Sequence, residues 1–180
     1  MDIVARAKAL ILSPQAEWPR IAAEPVAAPM QPFTAYAMPV SAVPAVALLL
    51  GGLLFPGLSG ERAGALGALA AYALGLAGVL VSAKLIEALA PRFGGVADPV
   101  AAMKLAAHAP TASWLAGVFA LVPPLGFLAL LGLYSLYLLW TGIPVLVRVP
   151  QERRLVFTLA LVAAAIAINI ALALLVTLIL

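Results

Sequence analysis

The stretch GFLALLGLYSLYLLWTGIPVLVRVPQERR, Gly126 to Arg154, decides how this chain is read. Its first 22 residues carry no charge. A helix rises about 1.5 Å per residue and the hydrocarbon core of a bilayer is about 30 Å thick, so about 20 such residues make a crossing. An aromatic cluster sits inside the run (Tyr134, Tyr137, Trp140), followed by a Gly-x-Pro break at Gly142 and Pro144 and a basic edge of Arg148, Arg153 and Arg154. Aromatics at the end of an apolar run, with bases just beyond, mark the boundary of a membrane span.

Composition extends that reading to the whole chain. Of 180 residues, 66% are hydrophobic and 9% charged. Soluble domains are about half apolar and about a quarter charged, so lipid must be the solvent for most of this fold. Ten bases oppose seven acids for a net charge of +3, an excess too small and too scattered for nucleic-acid binding. The absence of cysteine excludes disulfides, thiolate metal sites, iron–sulfur clusters and a Cys nucleophile. One histidine, His108, makes no histidine metal constellation. There is no Gly-rich phosphate loop, no zinc motif, no nucleophile elbow and no pair of intramembrane aspartates. No catalytic, cofactor or metal residue is expected, no enzyme, and no signal peptide is read in residues 2–12.

Charge-free runs then divide the chain. No Asp, Glu, Lys or Arg occurs in 25–60, 63–83, 105–147 or 155–180. The expected fold is all-α, a polytopic integral membrane protein with five transmembrane segments near 33–55, 63–90, 105–122, 125–147 and 155–180. Residues 1–32 are expected as a cytoplasmic amphipathic segment and connector, and 33–180 as the membrane domain. The 43-residue run would make a helix of about 65 Å, twice the membrane, so it must fold back. Pro123-Pro124 with Gly126 is the turn. Only twelve residues separate Pro110 from Pro123, so the third segment either starts near Leu105 with a kink at Pro110 or enters part-way as a re-entrant piece. The kinked span is preferred because its returning arm, Leu125–Val147, is full length and the turn has no polar residue.

Basic residues set the expected orientation. Successive extramembrane segments carry three, one, three, none, three and none (Arg6, Lys8, Arg20; Arg62; Lys84, Arg92, Lys104; Arg148, Arg153, Arg154). By the positive-inside rule the N-terminus is cytoplasmic and the C-terminus lies on the opposite face.

Residues 1–24 predict two short amphipathic helices, the second capped at Ser13 with Pro14 in its first turn. Trp18 and Ile21 suit either a headgroup-level face or a lead-in packed on the bundle, and the latter is preferred because the polar face is not strongly basic. Residues 25–34 predict an extended Pro-rich connector. After the break at Gly94-Gly95, Asp98-Pro99 starts a helix expected along the membrane surface, with Lys104 and His108 one turn apart.

Three polar or small-residue features stand out. Gly67, Ala71 and Gly75 align every four residues as a close-packing face, expected to meet another helix of the same chain. Lys84 and Glu87 are a candidate polar membrane site, read first as a boundary pair. Asn169 falls mid-span, where it would bond a neighbouring helix or a substrate.

Four pieces in order, LSPQAEWPRIAAEP, LIEALAPRFGG, AAMKLAAHAPTASWLAG and YSLYLLWTGIPVLVRVP, resemble the Yip family, five-span membrane proteins whose eukaryotic members bind Ypt/Rab GTPases. The bacterial branch looks closest. The resemblance implies a cytoplasmic N-terminus, a role in membrane organisation or trafficking, and a structural signature at Tyr134, Tyr137, Gly142 and Pro144. The functional expectation is a non-enzymatic scaffold of a bacterial inner membrane, whose partners are the lipid bilayer and other membrane proteins or copies of itself. The alternatives are a small transporter or channel, and an accessory subunit of a larger membrane complex.

Overall fold

The computed structural model describes residues 2–55 and 64–179, apart from the side chains of Asn169 and of residues 171–179. Its elements are α1 (Ile3–Leu12), α2 (Pro14–Ala23), α3 (Met38–Leu54), α4 (Ala65–Leu89), α5 (Pro99–His108), α6 (Thr111–Ala116), α7 (Tyr134–Leu146) and α8 (Gln151–Ile179). A π-helical turn, Phe33–Ala37, leads into α3, and 3₁₀ segments occupy Ala90–Phe93, Gly117–Leu121 and Pro123–Leu133. No strand occurs among the described residues.

Among the described residues, three helical stretches are long and apolar enough to cross a membrane: Phe33–Leu54, Ala65–Phe93 and Pro123–Leu146. They coincide with the first, second and fourth expected segments. The fifth expected segment falls on α8, a continuous helix of 29 residues. The third is broken. α5 ends at His108, Pro110 precedes the six residues of α6, and Gly117–Leu121 is 3₁₀. None of these pieces is long enough to cross by itself, because six residues of α-helix cover only about 9 Å.

The molecule is organised around α5. Every residue from Ala101 to His108 is buried, including Lys104 and His108. The expectation of a surface helix here is therefore corrected: α5 packs against α4, α7, α2 and the π-helical turn. Its alanines explain how. Ala101, Ala102, Ala106 and Ala107 leave room for neighbours on all sides, so α5 is apolar all round, which is the pattern of a buried helix. The helix start does follow the sequence, since Asp98 Oδ1 accepts from the backbone N–H of Val100 at 2.8 Å and of Ala101 at 3.2 Å.

Two further expectations change. The connector was read as extended to Thr34, but helix resumes at Gln31, with Pro32 at φ −61° where a first-turn proline fits. The returning arm from Leu125 was read as one α-helix, yet it is 3₁₀ to Leu133 and α only from Tyr134. Side chains three apart eclipse in a 3₁₀ helix. Phe127, Leu130 and Leu133 thus form one edge, 65%, 68% and 62% exposed, facing away from the bundle. On the other side Gly132 lies against α6, where the Ser113 hydroxyl donates to the Gly132 carbonyl at 2.9 Å. The Pro-Pro break itself stands as expected, with Val122 extended at φ −120° and ψ 98°.

α1 and α2 form on the expected residues. They fold back onto the bundle, α2 against α7, and bury Leu10, Trp18 and Ile21 completely. The loop after α4 turns at Gly94, whose φ of +81° is left-handed and suits glycine. It is tied to the end of α7 by the Val96 N–H donating to the Val147 carbonyl at 2.9 Å.

Candidate functional site: a buried polar clasp

Polar side chains gather where α1, α2 and the start of the connector meet α5. Arg6 of α1 lies between two carboxylates. Its Nε is 3.1 Å from Glu17 Oε1, and its Nη2 is 2.9 Å from Glu24 Oε2. The Arg6 and Glu17 side chains are 13% and 6% exposed, so this ion pair is largely desolvated. From the other side, Lys104 Nζ donates to the carbonyls of Ala22 at 3.0 Å and Glu24 at 2.7 Å. Those belong to the end of α2, where unpaired carbonyls and the helix dipole favour a cation. Burial pushes the Lys104 ammonium below its usual range, with Glu24 and Asp98 acting in the opposite direction.

One turn along α5, the His108 Nδ1 lies 2.8 Å from the Lys104 carbonyl. A carbonyl only accepts, so Nδ1 carries the proton and Nε2 the lone pair. α5 lies outside the three membrane-length helices, and burial there pushes the His108 imidazole down to about 4. The Tyr36 ring stacks on it at 4.2 Å between centroids. The Thr111 hydroxyl donates to the His108 carbonyl, so at 2.9 Å it accepts from the Tyr36 hydroxyl. His108 Nε2 has no hydrogen-bond partner among the described residues, and the residue borders a cavity of about 50 Å³ together with Glu24 and Lys104. With a neutral imidazole and its hydroxyls committed, the arrangement is suited to holding helices together and not to moving protons at neutral pH.

The clasp has an apolar half. The Trp18 indole N–H donates to the Thr141 hydroxyl at 3.0 Å, and the ring lies on Gly142. A Cβ added at Gly142 would sit 2.7 Å from Leu105 Cδ1 and 2.8 Å from Trp18 Cζ2. The Tyr134 hydroxyl donates to the Ile11 carbonyl at the end of α1, 3.1 Å away. Tyr134 also packs on Tyr137, with centroids 5.2 Å apart. Pro144 lies inside α7, one turn beyond Trp140. Of the four signature positions, Tyr134 and Gly142 bear directly on the N-terminal helices, while Tyr137 is 40% exposed.

The other residues singled out in the sequence lie elsewhere. Lys84 and Glu87 pair at 2.9 Å, with side chains 78% and 31% exposed. Asn169 lies outside the residues whose side chains are described, and Arg62 with Glu61 lies in the stretch left out. On the small-residue face of α4, Gly67 and Gly75 are partly buried. α4 packs through Ala68, Val79, Ala83 and Ile86. Ala71 is exposed, and a Cβ added at Gly75 or Gly78 would meet nothing within 4 Å. Among the described residues no three His, Asp or Glu side chains are grouped to hold a metal.

The sequence reading missed Arg6, Glu17, Glu24, Tyr36 and Thr111 as one unit. The clasp's polar partners lie far apart in sequence, Lys104 and Glu24 by 80 residues and Tyr36 and Thr111 by 75, and no local spacing reports that. One signal was available: the all-round apolar surface of α5, in which a lysine and a histidine could only be paired or buried.

A family model described as Yip1 domain matches residues 8–173. No curated protein and no solved structure matches.

Proposed function

Because the chain belongs to the Yip1-domain family of membrane proteins, we propose that it is a non-enzymatic membrane scaffold that gathers other membrane proteins, or copies of itself, through α4. The observation that carries this reading is the open small-residue face of α4, where Gly75 and Gly78 have space for a partner's backbone. In lipid, helix association depends on close backbone approach, and small residues at four-residue spacing permit it. α4 is otherwise richly lipid-facing, with Leu66 and Leu69 70% and 63% exposed.

In this reading residues 1–32 form a cytoplasmic foot and 33–180 the membrane domain, with the basic loops on the cytoplasmic side of a bacterial inner membrane. α8 supplies a further crossing. The distribution of bases supports the orientation. The same open face serves the accessory-subunit reading, in which one fixed larger complex covers α4. The exposed Lys84–Glu87 pair gives the transporter reading no polar route through the bundle.

The test is in-membrane photo-crosslinking from a residue analogue at position 71 of α4. Discrete crosslinked products, to itself or to specific membrane proteins, are expected there and not from position 130 on the 3₁₀ edge. Equal, diffuse labelling of lipid from both positions would reject the reading.

A further inference from the structure

A second feature of the bundle is independent of what α4 recruits. Between α4, the α5–α6 corner, α7 and α8 lies an apolar cavity of about 560 Å³, walled by Ile86, Ala109, Leu139, Leu161 and Val162. Ligand pockets measure about 300–1,000 Å³. A neighbouring cavity shares Ser135, Leu136, Val162 and Ile166 with it, so the two meet along one wall of α8. An apolar hollow of this kind does not hold water stably. In a bilayer the apolar material at hand is an acyl chain.

The end of α8 adds a charge. Arg154 stacks on Trp140 of α7, its guanidinium carbon 5.3 Å from the ring centroid. Its Nε is buried and has no hydrogen-bond partner among the described residues, and none of the ion pairs found among them involves Arg154. An unpaired buried donor on a cation is costly, and a phosphate oxygen satisfies it well. Along α8, Arg154, Thr158, Leu161 and Ala165 follow one another at three- and four-residue steps, and Val162 lies four residues from Thr158, so they border one face. From Arg154 to Ile166 that face runs about 18 Å. This is close to one leaflet's share, about 15 Å, of the hydrocarbon core.

We infer that the groove between α7 and α8 binds one phospholipid, its phosphate on Arg154 and one acyl chain in the cavity lined by Leu139, Leu161 and Val162. Basic positions at the ends of transmembrane helices are suited to such headgroups. The cation–π contact with Trp140 fixes the guanidinium plane.

The experiment is a lipid titration of the delipidated full chain in detergent, read by native mass spectrometry. The probe is dioleoyl-phosphatidylglycerol. Dioleoylglycerol supplies the tails without phosphate, and glycerol 3-phosphate the phosphate without tails. Thermal unfolding without lipid checks that Arg154→Gln and Val162→Phe fold, with Leu136→Phe in place of the latter if it does not. One bound phospholipid is expected. Arg154→Gln should weaken it by roughly tenfold or more, the worth of a charge-assisted hydrogen bond. The cavity-filling variant should weaken it as much, dioleoylglycerol should bind at least as poorly as Arg154→Gln does, and glycerol 3-phosphate should not compete. Equal binding of dioleoylglycerol, competition by glycerol 3-phosphate, or an unchanged titration for either variant would overturn the assignment.

Discussion

The Trp18 indole N–H donates to the hydroxyl of Thr141, 123 residues along the chain, at 3.0 Å. That bond and the bare face of Gly142 beside it seat α2 on α7. The N-terminal helices are therefore part of the bundle's core. A Gly142→Ala substitution drives its new methyl into Trp18 and Leu105, both fully buried and unable to retreat. Overpacking of this kind costs about 1–3 kcal/mol. Thermal unfolding in detergent should show the loss, and Trp18→Leu combined with Gly142→Ala should recover part of it relative to the sum of the single changes.

Glu17 should matter more than its position on a short N-terminal helix suggests. Removing its charge leaves Arg6 with Glu24 alone in a largely desolvated site. Removing one partner of a buried pair costs about 3–5 kcal/mol where the other charge is left uncompensated, and the remaining bond to Glu24 keeps the loss below that. Glu17→Gln is expected to loosen α1 and α2 first, seen as faster protease cleavage near residues 12–14 before the rest of the bundle unfolds.

Acid should destabilise the clasp through His108. Its imidazole is held at about 4 in the folded chain, against an ordinary value of 6.5. Between those values the unfolded chain binds a proton that the folded chain refuses, so stability falls as pH drops from about 6.5 to 4. The full effect is about 3 kcal/mol and is absent above pH 6.5, where neither state is protonated. Melting curves at pH 7, 5.5 and 4.5 should fall more steeply for the wild type than for His108→Leu. Comparing the two slopes separates His108 from the carboxylates that titrate in the same range.

α4 should respond to substitution in the opposite sense. Gly75→Ala places its methyl in open space, so the monomer should be unchanged or gain up to about 1 kcal/mol from the lost helix glycine. Gly75→Leu should keep the monomer's melting temperature while abolishing crosslinks from α4. A drop in monomer stability on either change would mean that the face is packed within the chain.

The Lys84–Glu87 pair should be energetically quiet. Both side chains reach solvent or headgroups, and exposed pairs contribute roughly 0–1 kcal/mol. Glu87→Gln should leave the melting temperature and any ion flux in liposomes unaltered. A flux that depends on Glu87 would restore the transport reading.

Several elements could be read locally because their causes are local. Charge-free runs predicted the segments near 33–55, 63–90 and 125–147, which overlap the apolar helices Phe33–Leu54, Ala65–Phe93 and Pro123–Leu146, because desolvating a charge in mid-membrane is costly. Asp98 before Pro99 predicted the start of α5, because capping uses backbone groups two and three residues on. The pieces YSLYLLWTGIPVLVRVP and LSPQAEWPRIAAEP carried the family resemblance. In space Trp18 from one meets Thr141 and Gly142 from the other, so both pieces border the same contact.

The site resisted the same reading. Lys104 and His108 were recognised as neighbours on one helix face, but the helix was laid on the surface. Their partners, Glu24, Ala22 and Tyr36, come from elements packed there only by the fold. The small-residue face of α4 was legible as a face, while its being left open depended on which side of α4 the neighbouring helices took.

The sequence by itself determined the solvent, the all-helical class and where the apolar stretches run, since each follows from composition or from spacing along one helix, while the family was legible only as a resemblance of four pieces. Only the tertiary structure decided that α5 is the buried axis of the bundle, that Arg6, Glu17 and Glu24 close over it, and that Gly75 faces outward while Gly142 faces Trp18. The physical reason is that two glycines in apolar helices have the same local chemistry. What distinguishes them is the neighbour across the contact, and that neighbour is chosen by the packing of the whole chain.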